Sequence, residues 1–224
     1  MRRVIGEILP PWAVSAEAFA DPPDAVLFPG EEALVAAAVG KRRREFTTGR
    51  HCARRALAAL GVPAQPVMAG EQGAPRWPAG VVGSITHCAG YRAAAVARAG
   101  DLAALGIDAE PHEALPDGVL PVVSRPGERA RLLHLAAAEP ATSWDRLLFC
   151  AKEAVYKAWF PLARRWLGFD DAEVTIDAAA GRFEARLLVP PPAGVHLPAA
   201  GFAGRWLVRD GLIITAVAVP AHRP

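Results

Sequence analysis

The chain has 224 residues, 52% of them hydrophobic, and a formal charge of +2 from 25 basic and 23 acidic residues. These values exclude an intrinsically disordered chain and a uniformly basic nucleic-acid-binding protein, and they predict one large globular domain or two small lobes. The cysteines Cys52, Cys88 and Cys150 show no CxxC spacing, so we expect reduced thiols, no zinc site and a cytoplasmic location.

The N-terminal segment has two features of a secretory signal, arginines at positions 2 and 3 and small residues around positions 18–20. Glu7, Pro10 and Pro11 interrupt the apolar stretch between them, so we expect no cleaved signal. Elsewhere no uninterrupted apolar run reaches the roughly 20 residues that span a bilayer, and we expect no membrane partner.

The first half of the chain predicts a helix followed by strands. An Ala- and Leu-rich pattern from Glu31 to Leu60 indicates a helix, interrupted or kinked near Gly40 and ended by Gly61 and Pro63. Three short β-compatible runs follow, "VVGSITH" (81–87), "YRAAAVARA" (91–99) and "DLAALGIDAE" (101–110). The turn residues between them predict an antiparallel meander of three strands.

The second half repeats this order after a connection at 111–141 that is rich in proline, alanine and charge. Thr142 and Asp145 form a possible capping box before a helix at 143–160. The remainder reads as two hairpins, 172–189 and 202–219, the latter turning at Asp210 and Gly211.

The repeated order of helix and strands predicts an α+β fold of two similar lobes, each an antiparallel sheet with packed helices. We expect a pseudo-two-fold relation between the lobes, with the active site in the cleft between them. The first lobe spans 1–109 and contains the basic helix and the strands of His87 and Asp108. The second spans 110–224 and contains the helix of Glu153 and Lys157 and the two hairpins.

Two carboxylates, Asp108 and Glu110, directly follow an apolar run and precede Pro111. Residues two apart on a strand project from the same face, so these acids should lie side by side at the end of the strand. Such a pair is most often part of a solvated turn, but carboxylate oxygens are also ligands that Mg²⁺ prefers. The pair alone leaves both interpretations open.

The helix at 143–160 has an apolar stripe formed by Trp144, Leu147, Leu148, Ala151, Val155 and Ala158. Glu153 lies nearly opposite the centre of this stripe, with Lys157 one turn on and Arg146 further back on the same side. An exposed Glu–Lys pair is the common explanation. The residues that flank Glu153 are less polar than an exposed face requires: Phe149, Cys150 and Tyr156. A covered site is therefore an equally good explanation.

The segment "KRRREFTTGRHCARR" at 41–55 concentrates the basic residues. On a continuous helix, Arg42 falls along the buried side and Arg50 at its margin, whereas Arg43, Arg54 and Arg55 point elsewhere. Arginines near a packing face can extend along it into solvent or reach a phosphate in a cleft.

His87 ends its predicted strand and follows Thr86. A single histidine of this kind is more often a hydrogen-bonded turn residue than a ligand. The meander, however, places this strand beside the strand of Asp108. Together with the arginines and Lys157, these groups predict a site for a polyphosphorylated ligand.

Three segments, in this order and at these separations, resemble the motifs of a known family: "GSITHCAGYRAAAVA" (83–97), "LGIDAE" (105–110) and "FCAKEAVYKAWFPL" (149–162). The family is the 4'-phosphopantetheinyl transferases of the Sfp-like superfamily, in particular the bacterial branch that includes the enterobactin-synthase enzyme. The resemblance extends from about Lys41 to Asp171. It implies a monomer of two α+β lobes with coenzyme A bound in the cleft.

The resemblance implies transfer of phosphopantetheine from coenzyme A to a serine of an apo carrier protein, with release of 3',5'-ADP. It assigns Mg²⁺, or Mn²⁺ in its place, to Asp108, Glu110 and Glu153. It makes Asp108, Glu153 and Lys157 catalytic, and Glu153 is the usual candidate for deprotonating the serine. The implied coenzyme A-binding residues are Arg42, Arg50, Thr86, His87, Asp108, Glu153, Lys157 and Trp166.

The implied partners are acyl or peptidyl carrier domains of polyketide, fatty-acid or nonribosomal peptide synthases, many of which serve secondary-metabolite biosynthesis. Arg164 or Arg165 could meet an acidic helix of the carrier.

Two other functions fit parts of this pattern. Acids at a strand end followed by Glu153 and Lys157 also describe a metal-dependent nuclease, although the low net charge argues against a nucleic-acid partner. A non-catalytic module that binds coenzyme A or a protein partner through the basic helix is the third possibility. Both explain the three ordered motifs poorly.

Overall fold

Two antiparallel sheets organise the computed structural model, which describes residues 4–192 and 201–221. The first sheet has three strands in the order β1 (Val14–Ala18), β3 (Tyr91–Arg98) and β2 (Val81–Cys88). Helix α1 (Gly40–Ala59) packs on this sheet and buries Ala53, Ala56 and Leu57 against Ala94 and Val96. Strand β1 was not anticipated from the sequence.

The second sheet has five strands in the order β4 (Leu102–Pro111), β8 (Leu212–Pro220), β7 (Phe202–Arg209), β6 (Arg182–Leu187) and β5 (Ala172–Asp177). Helix α4 (Trp144–Ala163) packs on it with the predicted apolar stripe, whose six members are all buried. The α+β fold class with two antiparallel sheets is therefore confirmed. The two sheets have different numbers of strands, three and five. The pseudo-two-fold relation between the lobes stays a prediction.

The predicted meander is wrong in its third strand. Strand β4 does not pair with β3 but with β8, where Asp108 is the register partner of Thr215. Strand β2 nevertheless lies beside β4, because side-chain hydroxyls take the place of backbone carbonyls: the Ile107 amide donates to Ser84 Oγ and the Ala109 amide to Thr86 Oγ1, each at 3.1 Å. Short spacing in the sequence cannot reveal a partner strand a hundred residues away.

The division of the chain into lobes of 1–109 and 110–224 stays a prediction. Its assignment of the Asp108 strand to the first sheet is corrected by the pairing of β4 with β8. Sheet membership favours a boundary before β4.

The helices differ from expectation at two places. The region before Gly40 forms only a 3₁₀ turn at Glu32–Val35, so the predicted break near Gly40 is real but no long helix precedes it. The connection at 111–141 contains two helices, α2 (Val119–Val123) and α3 (Pro126–Ala138).

The turn and cap predictions had opposite outcomes. Asp210 and Gly211 both have positive φ, 54° and 74°, which confirms the tight turn between β7 and β8. The capping box at Thr142 and Asp145 is wrong, since Asp145 Oδ2 accepts a hydrogen bond from the Leu115 amide at 2.8 Å. Asp145 thus ties the connection to α4 instead of capping the helix.

The cysteines are free and buried, as expected from their spacing. Within the part of the chain that the structure describes, no helix combines the length and apolarity needed to cross a bilayer.

Helix α4 crosses β4 at Gly106, where the two backbones nearly touch. A Cβ at this position would overlap the Ala154 carbonyl oxygen and lie 2.7 Å from the Ala158 amide nitrogen. Only glycine permits this approach. Because the helix lies so close, Lys157 Nζ donates to the Ile107 carbonyl oxygen at 3.2 Å.

Replacing Gly106 by alanine should therefore separate α4 from β4. We expect Gly106→Ala to lower the free energy of unfolding by about 3 kcal/mol, measured by chemical denaturation. Gly100→Ala is the matched control, because a Cβ there meets nothing within 4 Å, and it should change stability by less than about 1 kcal/mol. Equal effects of the two substitutions would contradict the packing argument.

Candidate functional site

A cavity of about 820 Å³ lies where α1 and β2 of the first sheet face β4 and α4 of the second. This volume is typical of small-molecule sites. Its walls contain six side chains of basic type: Arg42, Arg50, Arg76, His87, Lys157 and Arg164. The concentration of positive charge favours an anionic ligand.

Asp108 does not itself line this cavity but lies directly behind Lys157, which does. It is only 5% exposed, and its Oδ1 accepts hydrogen bonds from Thr86 Oγ1 at 2.9 Å and from Lys157 Nζ at 2.7 Å. Burial opposes the charge on Lys157, but Asp108 and Glu153 outweigh it and the pKa of the ammonium group is raised. Lys157 therefore remains charged at neutral pH.

The second oxygen of Asp108, Oδ2, is buried and has no hydrogen-bond partner among the described residues. Buried polar atoms are nearly always paired, so this carboxylate, which adds to the effect of burial in raising the pKa of the Cys150 thiol, keeps the capacity to accept a further donor or a cation.

Glu110 and Glu153 both lie close enough to Asp108 for their charges to interact. Burial and the nearby Asp108 raise the pKa of Glu110 to about 7, despite the ion pair of Oε2 with Arg146 Nη1 at 3.0 Å. Burial and Asp108 also raise the pKa of Glu153, against the effect of Lys157. The ionised form of each glutamate is therefore disfavoured, and a bound cation would stabilise it.

The donor set fits a hard divalent cation in its chemistry, since it offers carboxylate oxygens and one unpaired buried atom. The arrangement does not form a ready-made cage: among residues 4–192 and 201–221, no three His, Cys, Asp or Glu side chains converge closely enough to hold a metal ion. Part of the coordination would have to come from water and ligand oxygens.

The other end of the cavity contains the basic residues of α1 and β2. Arg42 Nη1 lies 2.6 Å from His87 Nε2, and Glu45 Oε2 lies 3.6 Å from His87 Nδ1. Arg50 donates through Nε to the Val67 carbonyl oxygen at 2.6 Å. Burial lowers the pKa of Arg50 to about 10, which leaves the guanidinium charged at neutral pH.

The burial of the α1 arginines differs from the helical-wheel prediction. Arg42 is half exposed at the cavity, whereas Arg50 is the buried member of the pair. The reason is that α1 begins at Gly40, so Arg42 lies in its first turn.

Trp166 does not line the large cavity. It is 63% exposed and borders a smaller neighbouring cavity of about 100 Å³, with its ring centre 4.9 Å from that of Tyr156. Glu153 and Tyr156 line both cavities. Glu153 therefore stands between the cation-rich cavity and the aromatic one.

Arg54 was predicted to point away from the packed side, and this is wrong. Its Nη1 contacts both carboxylate oxygens of the fully buried Glu31, at 3.0 and 2.8 Å. Glu31 also accepts the Val67 amide at 2.8 Å and so fixes the segment whose carbonyl binds Arg50. A helical wheel cannot register a partner outside the helix.

The loop at 70–77, "GEQGAPRW", was also missed, although it forms one wall of the cavity. Gln72 and Gly73 both have positive φ, and Trp77 Nε1 donates to the Gly83 carbonyl oxygen at 2.9 Å. A glycine-containing turn with Arg76 directly before a strand is the signal that could have identified it.

Lys152 has a structural role that its place beside Glu153 in the third motif does not reveal. Its buried Nζ donates to Glu128 Oε2 at 2.8 Å and to the carbonyl oxygens of Phe169 at 2.6 Å and Ala172 at 3.1 Å. These bonds hold α3 and the wall of the aromatic cavity against α4.

Removing this lysine should leave the Glu128 carboxylate buried without its ion partner. We expect Lys152→Met to lower the free energy of unfolding by about 3 kcal/mol in a denaturant titration. Lys41→Met, at an exposed position of α1, serves as the control and should change it by less than about 0.5 kcal/mol. Similar values for the two variants would show that the buried pair does not stabilise the fold.

Comparison with known proteins agrees with this arrangement of cavity and motifs. The family model of the 4'-phosphopantetheinyl transferase N-terminal domain matches residues 30–97, and that of the 4'-phosphopantetheinyl transferase superfamily matches residues 104–202. The gap between the two matches falls at the start of β4.

Three curated relatives cover nearly the whole chain. The 4'-phosphopantetheinyl transferase Svp of Streptomyces mobaraensis is 57% identical over 221 residues, covering 97% of this chain and 90% of the relative. Npt of Nocardia iowensis is 52% identical, covering 96% and 99%. PptT of Mycobacterium tuberculosis is 51% identical, covering 90% of each. Enterobactin synthase component D of Salmonella typhimurium is more distant, at 34% identity.

The two antiparallel sheets, the cavity between them and the sequence relatives together define the class of protein, a transferase enzyme. The chain belongs to the 4'-phosphopantetheinyl transferase superfamily, whose members transfer the phosphopantetheine group of coenzyme A to carrier proteins.

Proposed function

We propose that this chain transfers 4'-phosphopantetheine from coenzyme A to the serine hydroxyl of an apo acyl or peptidyl carrier protein, in a Mg²⁺-dependent reaction that releases 3',5'-ADP. The observation that carries the proposal is the hydrogen-bonded group of Thr86, Asp108 and Lys157 beside a cation-rich cavity. All three side chains come from the three motifs of the family, and the fold brings them within hydrogen-bond distance.

The phosphates of coenzyme A would bind among the basic residues. Arg42, Arg50 and His87 line the first-sheet side of the cavity and Lys157 the opposite side. Arginine can bind a phosphate through two parallel hydrogen bonds, and such charge-assisted bonds are the strong ones. Thr86 would act on the phosphates only indirectly, because its hydroxyl donates a hydrogen bond to Asp108.

Asp108, Glu110 and Glu153 would hold Mg²⁺, for which Mn²⁺ is a plausible substitute. When bound, the cation would neutralise negative charge that develops on the diphosphate as the bond to the leaving group breaks. The unpaired Oδ2 of Asp108 and the raised pKa of both glutamates support this assignment.

Glu153 is the group best placed to accept the serine proton. It lines both the cation-rich cavity and the aromatic cavity, so its carboxylate lies between the proposed phosphate site and the side from which the carrier would approach. The serine oxygen forms a bond to the phosphorus next to the pantetheine, and the bond from this phosphorus to 3',5'-ADP breaks. The charged Lys157 offsets the negative charge on the phosphates.

The carrier would approach beside the aromatic cavity. Arg164, Arg165 and Trp166 are exposed at the end of α4, and their charge suits an acidic carrier helix. Carriers of polyketide, fatty-acid or nonribosomal peptide synthases, and hence secondary-metabolite pathways, are the proposed partners. We further propose a monomer in the cytoplasm, where three free thiols would persist.

The nuclease alternative is not retained, because both family models that match describe transferases. The non-catalytic alternative makes a different prediction from the transferase, binding of coenzyme A without modification of a carrier.

Intact-protein mass spectrometry of apo carriers incubated with coenzyme A tests the proposed reaction. We expect a mass gain of one phosphopantetheine group with Mg²⁺ and none with EDTA. Asp108→Asn should abolish the gain, because the amide cannot replace the anionic oxygen. Binding of coenzyme A without any mass gain, across carriers of all three synthase types, would favour the binding module instead.

Substitution of Glu153 tests the assignment of the base. We expect Glu153→Gln to lower the turnover number by a factor of about 10² to 10⁴, because the amide accepts no proton. Coenzyme A binding, measured by calorimetry in EDTA so that the proposed metal contact of Glu153 plays no part, should change only a few-fold. Glu184→Gln, at an exposed position of β6, is the matched control and should leave both values unchanged. Turnover that survives Glu153→Gln would exclude this carboxylate as the base.

A further inference from the structure

Glu45 is an acidic residue in the wall of the cation-rich cavity. It lies on α1, is only 9% exposed and lines the same wall as Arg42 and Arg50. A carboxylate there repels the phosphate groups that the neighbouring cations attract. Its presence requires a function that outweighs this repulsion.

The geometry around His87 indicates that function. Arg42 Nη1 lies 2.6 Å from His87 Nε2, and a guanidinium has no acceptor atom, so Nε2 must be the acceptor. The ring is therefore neutral, with its proton on Nδ1. Glu45 Oε2 lies 3.6 Å from Nδ1 and 4.0 Å from Arg42 Nη1, so it faces the protonated side of the ring.

The charges around His87 come from three elements. Arg42 and Glu45 belong to α1, Lys157 to α4 and Asp108 to β4. Burial, Arg42 and Lys157 lower the pKa of His87, whereas Glu45 and Asp108 raise it. Arg92, on β3, is the register partner of His87. Its charge is offset by Asp21, because Arg92 Nε lies 3.3 Å from Asp21 Oδ1. Without a ligand, the two cations thus keep the imidazole unprotonated.

We propose that His87 takes up one proton from solvent when coenzyme A binds, and that Glu45 is the positioning residue that stabilises the resulting imidazolium. A phosphate oxygen placed between Arg42 and His87 would replace the hydrogen bond between them. Nε2 would then bind the proton taken from solvent and donate a hydrogen bond to the phosphate oxygen, while Nδ1 continues to face Glu45. The inference rests on the proposed function, because it requires coenzyme A in this cavity.

Either the 3'-phosphate or the diphosphate of coenzyme A has the required chemistry, a phosphate anion that accepts a hydrogen bond. Glu45 differs from the residues that contact the phosphate, because it acts only through His87. A merely structural role for Glu45 would affect stability but not the number of protons taken up on binding.

Isothermal titration calorimetry measures this number when coenzyme A binding is followed at pH 7.5 in buffers of different protonation enthalpy. We expect the wild-type protein, in Mg²⁺, to take up roughly half a proton or more per coenzyme A, because the bound imidazolium is stabilised above neutral pH. His87→Gln should lose this uptake. The difference between the two proteins removes proton changes that belong to the ligand or to other groups.

Glu45→Gln should bind coenzyme A about tenfold more weakly and take up fewer protons than the wild type, because the amide has no charge to stabilise the imidazolium. Glu32→Gln, at an exposed position before α1, is the matched control and should retain full uptake. Thermal unfolding of each variant separates a loss of fold from a loss of proton uptake.

The two phosphate sources are distinguished with 3'-dephospho-coenzyme A. Loss of proton uptake with this ligand would assign the contact to the 3'-phosphate, and retention would assign it to the diphosphate. Equal uptake by the wild type and His87→Gln, or by the wild type and Glu45→Gln, would overturn the inference. A wild-type protein that does not bind coenzyme A would overturn the proposed function and this inference with it, whereas binding without uptake would overturn only the inference.

Discussion

The hydrogen bond between Lys157 and Asp108 joins the two elements on which the site depends, helix α4 and strand β4. It forms because Gly106 lets the helix backbone approach the strand more closely than any side chain would allow. Lys157 then reaches both the Ile107 carbonyl oxygen and the Asp108 carboxylate. The same crossing puts Glu153 close enough to Asp108 for their charges to interact. The close packing of α4 on β4 at Gly106 therefore determines which charged side chains surround Asp108.

A second set of interactions keeps the surrounding walls in place. Two buried ion pairs, Glu31 with Arg54 and Glu128 with Lys152, lie outside the cavity but hold the segments that form it. In each pair the carboxylate also accepts backbone amides, so its charge is satisfied from several directions. Such pairs tolerate loss of one partner poorly, because the remaining charge stays buried. The large cavity thus depends on residues that do not line it.

Local patterns in the sequence were sufficient to identify the residues that meet at Asp108. Thr86, Lys157 and Glu153 belong to short motifs whose order and spacing are specific, and the apolar stripe of α4 follows directly from helical periodicity. The failures share one physical cause, a partner distant in the chain. Arg54 was misplaced because Glu31 lies outside its helix, and Asp145 because it binds the Leu115 amide.

The sequence also could not predict that β4 belongs to the five-stranded sheet, because its partner strand is distant in the chain. A strand that follows β3 after a short turn normally pairs with it. Here two backbone amides of β4 instead donate hydrogen bonds to the side-chain hydroxyls of Ser84 and Thr86 on β2. The backbone partner of β4 is β8, far along the chain. Glu45 is a different case, since nothing in its helical position distinguishes it from a surface glutamate until His87 is placed beside it.

The pairing of β4 with β8 also has a consequence for the order in which the enzyme forms during translation. Strand β8 follows β4 by about a hundred residues, so the ribosome must make α2 to α4 and β5 to β7 before β4 can complete its ladder. Closing a loop of this length is slow compared with forming the neighbouring hairpins. Asp108, in the C-terminal half of β4, therefore acquires its register partner Thr215 only after these elements have been made.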